Sequence, residues 1–239
     1  MRNLWVLGLI GLLNAQESPA GPATPPSLPT SQLLIQAVWA GQPGPKVKLV
    51  SLPSQQTFEL RPLAGAVVTT TIIPRPPKCE LWVENPPYAP RPIPLEFPTQ
   101  GQRFILVLQG EHPASVGAWI LPAELADFPW GSATLLNLSD QRLRCQLNDK
   151  AGEVDPGKSG VLPFVSTERA TVHLTLDHLD NKTWLPDCST KTVLGPTRRF
   201  VLIVGPGLAA QGPLPKQTII EIDPAPLTAP TPLAHPPAK

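Results

Sequence analysis

Cysteine, tyrosine and methionine are nearly missing from this 239-residue chain, which holds three cysteines, one tyrosine and one methionine, Met1. No C-x-x-C pair is present, so zinc-ribbon chemistry lacks its ligands. A blue-copper site wants a cysteine beside histidine and commonly methionine, whereas Cys188 is followed by Ser-Thr-Lys-Thr-Val. An excess of charge is lacking as well: 19 Lys and Arg against 18 Asp and Glu leave a net charge of +1. That balance removes the basic footprint of nucleic-acid binding and the acidity of a solvating tail. No G-x-S-x-G elbow, H-E-x-x-H helix or calcium-binding loop appears, so an enzyme here would need dispersed residues. After the N-terminal residues no apolar run approaches the roughly twenty residues of a membrane-spanning helix.

Proline is what the chain has in plenty, with 34 residues. Proline lacks the N–H that helices and central strands use, so long helices are not expected. Three stretches concentrate it: Pro19 to Pro29, Pro86 to Pro98 (PPYAPRPIPLEFP) and Pro224 to the end. Such composition favours extended polyproline II.

Arg2 followed by the apolar run Leu4 to Leu13 reads as a signal peptide, too short to span a bilayer. Cleavage after Ala15 places Leu13 where a small residue is preferred, and cleavage after Ala20 places Ser18 there but encloses Pro19, so the site stays open. No cysteine lies nearby to carry a lipid anchor. The expected location is extracytoplasmic, with periplasm, cell surface and medium not distinguished.

Strand patterns fill the rest. Arg142 to Leu147 alternates Leu143, Cys145 and Leu147 against Arg142, Arg144 and Gln146, a period of two that separates core from water. Lys78 to Glu84 (Cys79, Leu81 and Val83 inward) and Ala170 to Asp177 do the same. Phe104 to Leu108, Thr134 to Leu136 and Phe200 to Val204 are continuous apolar runs, as expected of strands buried on both sides. Shorter candidates are Leu33–Trp39, Val47–Val50, Thr57–Leu60, Val67–Ile73, Ala118–Leu121, Gly160–Phe164 and Thr218–Ile222, with one helical turn at Ala123–Asp127. The pattern predicts an all-β, antiparallel β-sandwich architecture in two β units. The expected organisation is a signal peptide over 1–15, a proline-rich linker over 16–31, an N-terminal β domain over 32–98, a C-terminal β-sandwich domain over 99–222 and a disordered proline-rich tail over 223–239. A single larger sandwich with a long crossover at the second proline stretch is the alternative. No repeat of fixed period is visible.

From Arg103 to Leu162, an apolar strand is followed by AWILPAELADFPWGSATLLNLSDQRLRCQL and a turn ending in PGKSG. This quarter of the chain resembles uncharacterised bacterial secreted β-sandwich proteins with a proline-aromatic-Gly-Ser turn, a strand ending in Asn-Leu-Ser and an alternating strand. The resemblance implies a signal peptide and a sandwich-like domain, and no activity.

Two nucleotide-like motifs fail on context. Gly152 to Ser159 matches the phosphate-loop letters, but a phosphate loop opens a helix at its lysine, and here Gly160 and Pro163 follow while Pro156 removes a donor. A tight hairpin turn is the reading. Gly205-Pro-Gly207-Leu-Ala-Ala210 mimics a dinucleotide fingerprint but leaves no room for the helix that must follow. His173, Asp177, His178 and Asp180 form the one dense polar cluster and contain the residue types of a metal site or an acid–base pair. A solvated strand face is the plainer reading. Trp82, Trp130 and Trp184 lie at turns or on polar faces, where indoles form flat platforms for sugars or peptides; covering the sandwich edges is the plainer role. Asn137-Leu-Ser139 and Asn181-Lys-Thr183 fit the glycosylation pattern. Pairing among Cys79, Cys145 and Cys188 stays open.

These features point to a non-catalytic extracytoplasmic protein that binds or scaffolds, with no cofactor, no bound metal, no nucleic acid and no membrane span after signal cleavage. Its expected partner is another cell-envelope protein or a glycan; the proline segments read first as spacers and second as docking peptides, with Pro90 to Phe97 the docking candidate. The alternatives are a glycan-binding module using Trp82, Trp130 and Trp184, and a secreted metal-binding protein or hydrolase centred on His173–Asp180.

Overall fold

The alternating segments and the continuous apolar runs all become strands, but the two kinds occupy different layers. The computed structural model describes residues 29–40, 43–64, 70–84, 87, 89–110, 112–163, 170–194, 199–205 and 217–222. The expected signal peptide, the rest of the Gly205 loop, most of the proline lead and the C-terminal tail lie outside the described residues.

The first half contributes β1 (Gln32–Trp39), β2 (Lys46–Leu52), β3 (Thr57–Leu60), β4 (Leu63–Ala64), β5 (Thr70–Pro74), β6 (Lys78–Glu84), β7 (Arg91–Leu95), β8 (Arg103–Gln109) and β9 (Gly117–Pro122). The second half contributes β10 (Ser132–Asn137), β11 (Leu143–Leu147), β12 (Lys150–Val154), β13 (Ser159–Pro163), β14 (Ala170–Asp180), β15 (Thr183–Leu194), β16 (Arg199–Val204) and β17 (Gln217–Ile222). Four sheets result. A first inner sheet runs β4-β1-β8-β9 with β5 also on β1, and a first outer sheet runs β3-β2-β6-β7. A second inner sheet runs β13-β10-β16-β17, and a second outer sheet runs β12-β11-β14-β15. The all-β sandwich fold therefore holds. Most pairings are antiparallel, but each inner sheet has a parallel pair at its centre, β1 with β8 and β10 with β16.

The halves divide after Pro122 rather than inside the second proline stretch, because β8 and β9 complete the sheet that β1 begins. That stretch contains strand β7. Its Pro92 and Pro94 sit on a sheet edge, where a missing N–H breaks no ladder.

Each half closes its own core. Leu33, Ile35, Trp39, Phe104, Leu106 and Leu108 of the first inner sheet pack on Val47, Leu49, Cys79, Leu81, Val83 and Leu95 of the first outer sheet. Leu135, Phe200, Leu202 and Val204 pack likewise on Leu143, Cys145, Leu147, Leu174 and Leu176. A third cluster joins the halves: Val38, Ile105, Val107 and Leu121, on the opposite face of the first inner sheet, meet Leu136, Val201 and Ile203 on the opposite face of the second. The molecule is thus a four-layer stack in the order outer, inner, inner, outer. The runs β8, β10 and β16 lie between layers on both sides, which is why they carry no polar alternation.

The two halves are one topology used twice. β10 takes the place of β1, β11 of β2, β12 of β3, β13 of β5, β14 of β6, β15 of β7, β16 of β8 and β17 of β9. The strands β8 and β16 also match in sequence, Arg-Phe-Ile-Leu-Val-Leu against Arg-Phe-Val-Leu-Ile-Val. Through this alignment Ile105 corresponds to Val201 and Val107 to Ile203; the registers of β1 on β8 and β10 on β16 make Val38 correspond to Leu136. The seam is therefore built from the same face of both repeats, as in an isologous dimer interface, here within one chain.

Candidate functional site

Three places collect polar and aromatic side chains: the two outer faces and one end of the seam. On the second outer sheet, Leu174 and Leu176 point inward and leave His173 and Asp177 on the solvent face. Asp177 accepts from Arg144 Nε at 3.0 Å and from its Nη2 at 2.5 Å, and the Arg144 guanidinium lies 4.8 Å from the Trp184 ring centroid. His173 Nε2 shares a hydrogen bond of 2.7 Å with Ser189 Oγ. The His173–Asp180 segment therefore does not converge on one point. Its carboxylate at 177 is engaged by a guanidinium and its imidazole at 173 by a hydroxyl. Among the described residues no group of three His, Cys, Asp or Glu side chains is placed to hold a metal ion.

The first outer sheet carries a related arrangement from other residues. Trp82 Nε1 donates to Glu80 at 3.0 Å, Lys48 Nζ stands 5.7 Å from the Trp82 centroid, and Lys48 also pairs with Glu84. Each outer face thus presents a part-exposed indole capped by a cation and neighboured by carboxylate. The two faces are the end layers of the stack, about 30 Å apart at the usual sheet spacing of about 10 Å.

Trp130 belongs to neither face. It lies in the connector between repeats, where Glu124 accepts from the backbone N–H of Phe128 and Asp127, forming the expected helical turn. Ser132 Oγ donates to Pro129 O at 2.6 Å and Gly131 adopts φ 71°, which close the Phe-Pro-Trp-Gly-Ser turn. The Trp130 ring stacks on the guanidinium of Arg199 at 4.6 Å, with Phe128 on the guanidinium at 5.0 Å. Trp82, Trp130 and Trp184 therefore occupy three separate sites and form no common platform. Sequence reasoning passed over Arg144, Ser189 and Arg199. The signal for Arg199 was an arginine heading both apolar runs.

The phosphate-loop letters Gly152 to Ser159 span the turn from β12 to β13, which belong to different sheets, so the turn crosses between layers and is not the hairpin expected from sequence. Gly157 takes φ 70° and donates its N–H to Asn137 O, while Lys158 N–H donates to Asp155 O. A strand follows where phosphate binding needs a helix. Asn137 of the Asn-Leu-Ser triplet is fully buried. Its amide donates to Gln141 O and Val154 O and its oxygen accepts from Ser139, which ties the end of β10 to the second outer sheet.

Cys79 and Cys145 lie in different cores. The Cα atoms of Cys145 and Cys188 flank that of Leu176 on neighbouring strands, about 10 Å apart and beyond the roughly 7 Å reach of a disulfide. Cys79 and Cys188 belong to the two outer sheets, at opposite ends of the stack. None of the three pairings is within reach. Burial, helped by the charge of Glu80, pushes the Cys79 thiol up to about 11.

No helix among the described residues is long and apolar enough to cross a membrane. No protein-family model and no curated protein matches the chain.

Proposed function

We propose that the protein is a non-catalytic extracytoplasmic scaffold that binds through its two outer faces. The observation that carries this reading is the isologous seam. Fusing the inner sheets face to face spends their apolar surface on joining the repeats and turns the outer sheets in opposite directions, which suits a rigid spacer with two presenting surfaces. The apolar leader at the N-terminus supports export, and the proline-rich segments suit spacers on either side of such a body. The partner class is a cell-envelope protein or glycan.

Expression of the full chain in a bacterial host, followed by osmotic shock and intact-mass measurement, tests the location. A product lacking the first 15 or 20 residues in the shock fluid is the expected result; an uncleaved chain retained in the cytoplasm contradicts it. A glycan ligand is favoured over a protein partner by one observation, that both outer faces hold a part-exposed indole beside hydrogen-bonding carboxylates. Titration with cell-wall and plant polysaccharides then changes tryptophan fluorescence, and Trp82→Ala and Trp184→Ala each remove part of the response. An unchanged spectrum with every polysaccharide leaves the protein partner.

A further inference from the structure

Both repeats begin their doubly buried strand with arginine, and the two residues are treated differently. Arg103 and Arg199 precede Phe104 and Phe200, whose side chains enter the sandwich cores. Alternation therefore sends both arginines to the seam face. Arg103 is matched by Glu124, with Nε 3.8 Å from the carboxylate. That carboxylate also accepts from the backbone N–H groups of Gln102 and Arg103 at 2.7 and 3.0 Å. Among the described residues no carboxylate forms an ion pair with Arg199. It is only 8 % exposed, and its Nη1 donates to Ala123 O at 2.8 Å and Phe128 O at 3.1 Å, both neutral acceptors. Its Nε has no hydrogen-bond partner, and neither does the buried Nε1 of Trp130, whose ring lies on the same guanidinium.

Two buried donors without partners, one on the guanidinium and one on the ring stacked against it, describe a missing acceptor. Buried donors are satisfied in native proteins and buried charges are paired. Burial lowers the Arg199 pKa to about 10, Arg103 lowers it further in the same direction, and Glu124 opposes them; an anion would relieve both the repulsion and the desolvation. We propose that the seam binds a small inorganic anion of the chloride class between Arg199 Nε and Trp130 Nε1, fastening the connector to the second repeat.

The full chain, dialysed into sodium gluconate, tests this when chloride is added at constant ionic strength. Gluconate is too bulky for a buried site of this kind. The expected result is a saturable rise in Tm with chloride and protein-dependent broadening of the chloride NMR line. Trp130→Phe keeps a ring on the guanidinium but removes the N–H, and raises the half-saturating chloride concentration roughly ten-fold, the worth of one hydrogen bond to a charged group. Equal Tm in chloride and gluconate with an unbroadened line overturns the proposal and assigns the donors to water. Half-saturation unchanged in Trp130→Phe overturns it as well. The wild-type titration decides alone if the variant does not fold.

Discussion

Apart from the two-residue β4, the two repeats share their strand positions but not their outer faces, their hairpins or their plugs. At the seam Ile105 faces the same environment as Val201, and Val107 the same as Ile203. Away from it the repeats part. The edge strand β7 is five residues long with two prolines, while its counterpart β15 has twelve residues and is joined to β14 by a tight turn with positive φ at Asn181 and Lys182. At the end of the first inner strand Trp39 fills the core; the matching position in the second repeat is Asn137, which bonds across to the outer sheet instead. A face that must complement its own counterpart is held to one aliphatic pattern, whereas a face in water is free to change.

The largest effects are expected where the repeats agree. Ile105→Ala and Ile203→Ala each remove a fully buried side chain from the seam and cost about 2–5 kcal/mol in urea unfolding. Because both belong to one cluster, the double variant departs from additivity. A costly Ile203→Ala beside a Val107→Ala without effect would break the equivalence of those two positions.

Next come the two plugs. A Cβ on Gly44 would stand 2.5 Å from the Trp39 ring, so Gly44→Ala overpacks the first core at about 1–3 kcal/mol. Asn137→Ala strands the carbonyls of Gln141 and Val154 and costs about 1–3 kcal/mol in the second. Thermal unfolding of both variants measures whether different chemistry does equal duty at one position.

Cys79 adds a pH signature to the first repeat. Its thiol titrates at about 11 in the folded chain against 9.0 unfolded. The unfolded state therefore releases the proton first, and stability is intact below pH 9, then falls as pH rises towards 11. Subtracting the stability profile of Cys79→Ala from that of the wild type should isolate this decline; parallel profiles would refute it.

The smallest effects belong to the outer faces. Arg144→Ala loses a two-bond contact to Asp177 and a stacked indole, whereas Lys48→Ala loses a single-point pair and a longer cation–ring contact. The first costs about 1 kcal/mol and the second less, since exposed pairs contribute little and lysine lacks the planar fork. Urea midpoints rank them.

Much of this architecture was legible in the sequence. The alternation of Cys79, Leu81 and Val83 and of Leu143, Cys145 and Leu147 gave the outer sheets, and the unbroken runs at Phe104, Thr134 and Phe200 marked strands covered on both sides. The repeat escaped because its likeness is of class rather than letter outside β8 and β16, and because unequal hairpins spoil any fixed period. The boundary at residue 98 followed from proline composition, which does not distinguish a linker from an edge strand. The polar constellations were hidden for a different reason: Arg144, Asp177 and Trp184 come from three strands, and only tertiary register brings them together.

The isologous seam welds two copies of one sandwich into a single cooperative body. Native-state hydrogen exchange of the wild-type chain in rising urea tests it most directly, read at the amides of β8 and β16. Both strands are expected to open with one common free energy and one urea dependence. Release of β16 at lower urea while β8 stays protected, or the reverse, would contradict it.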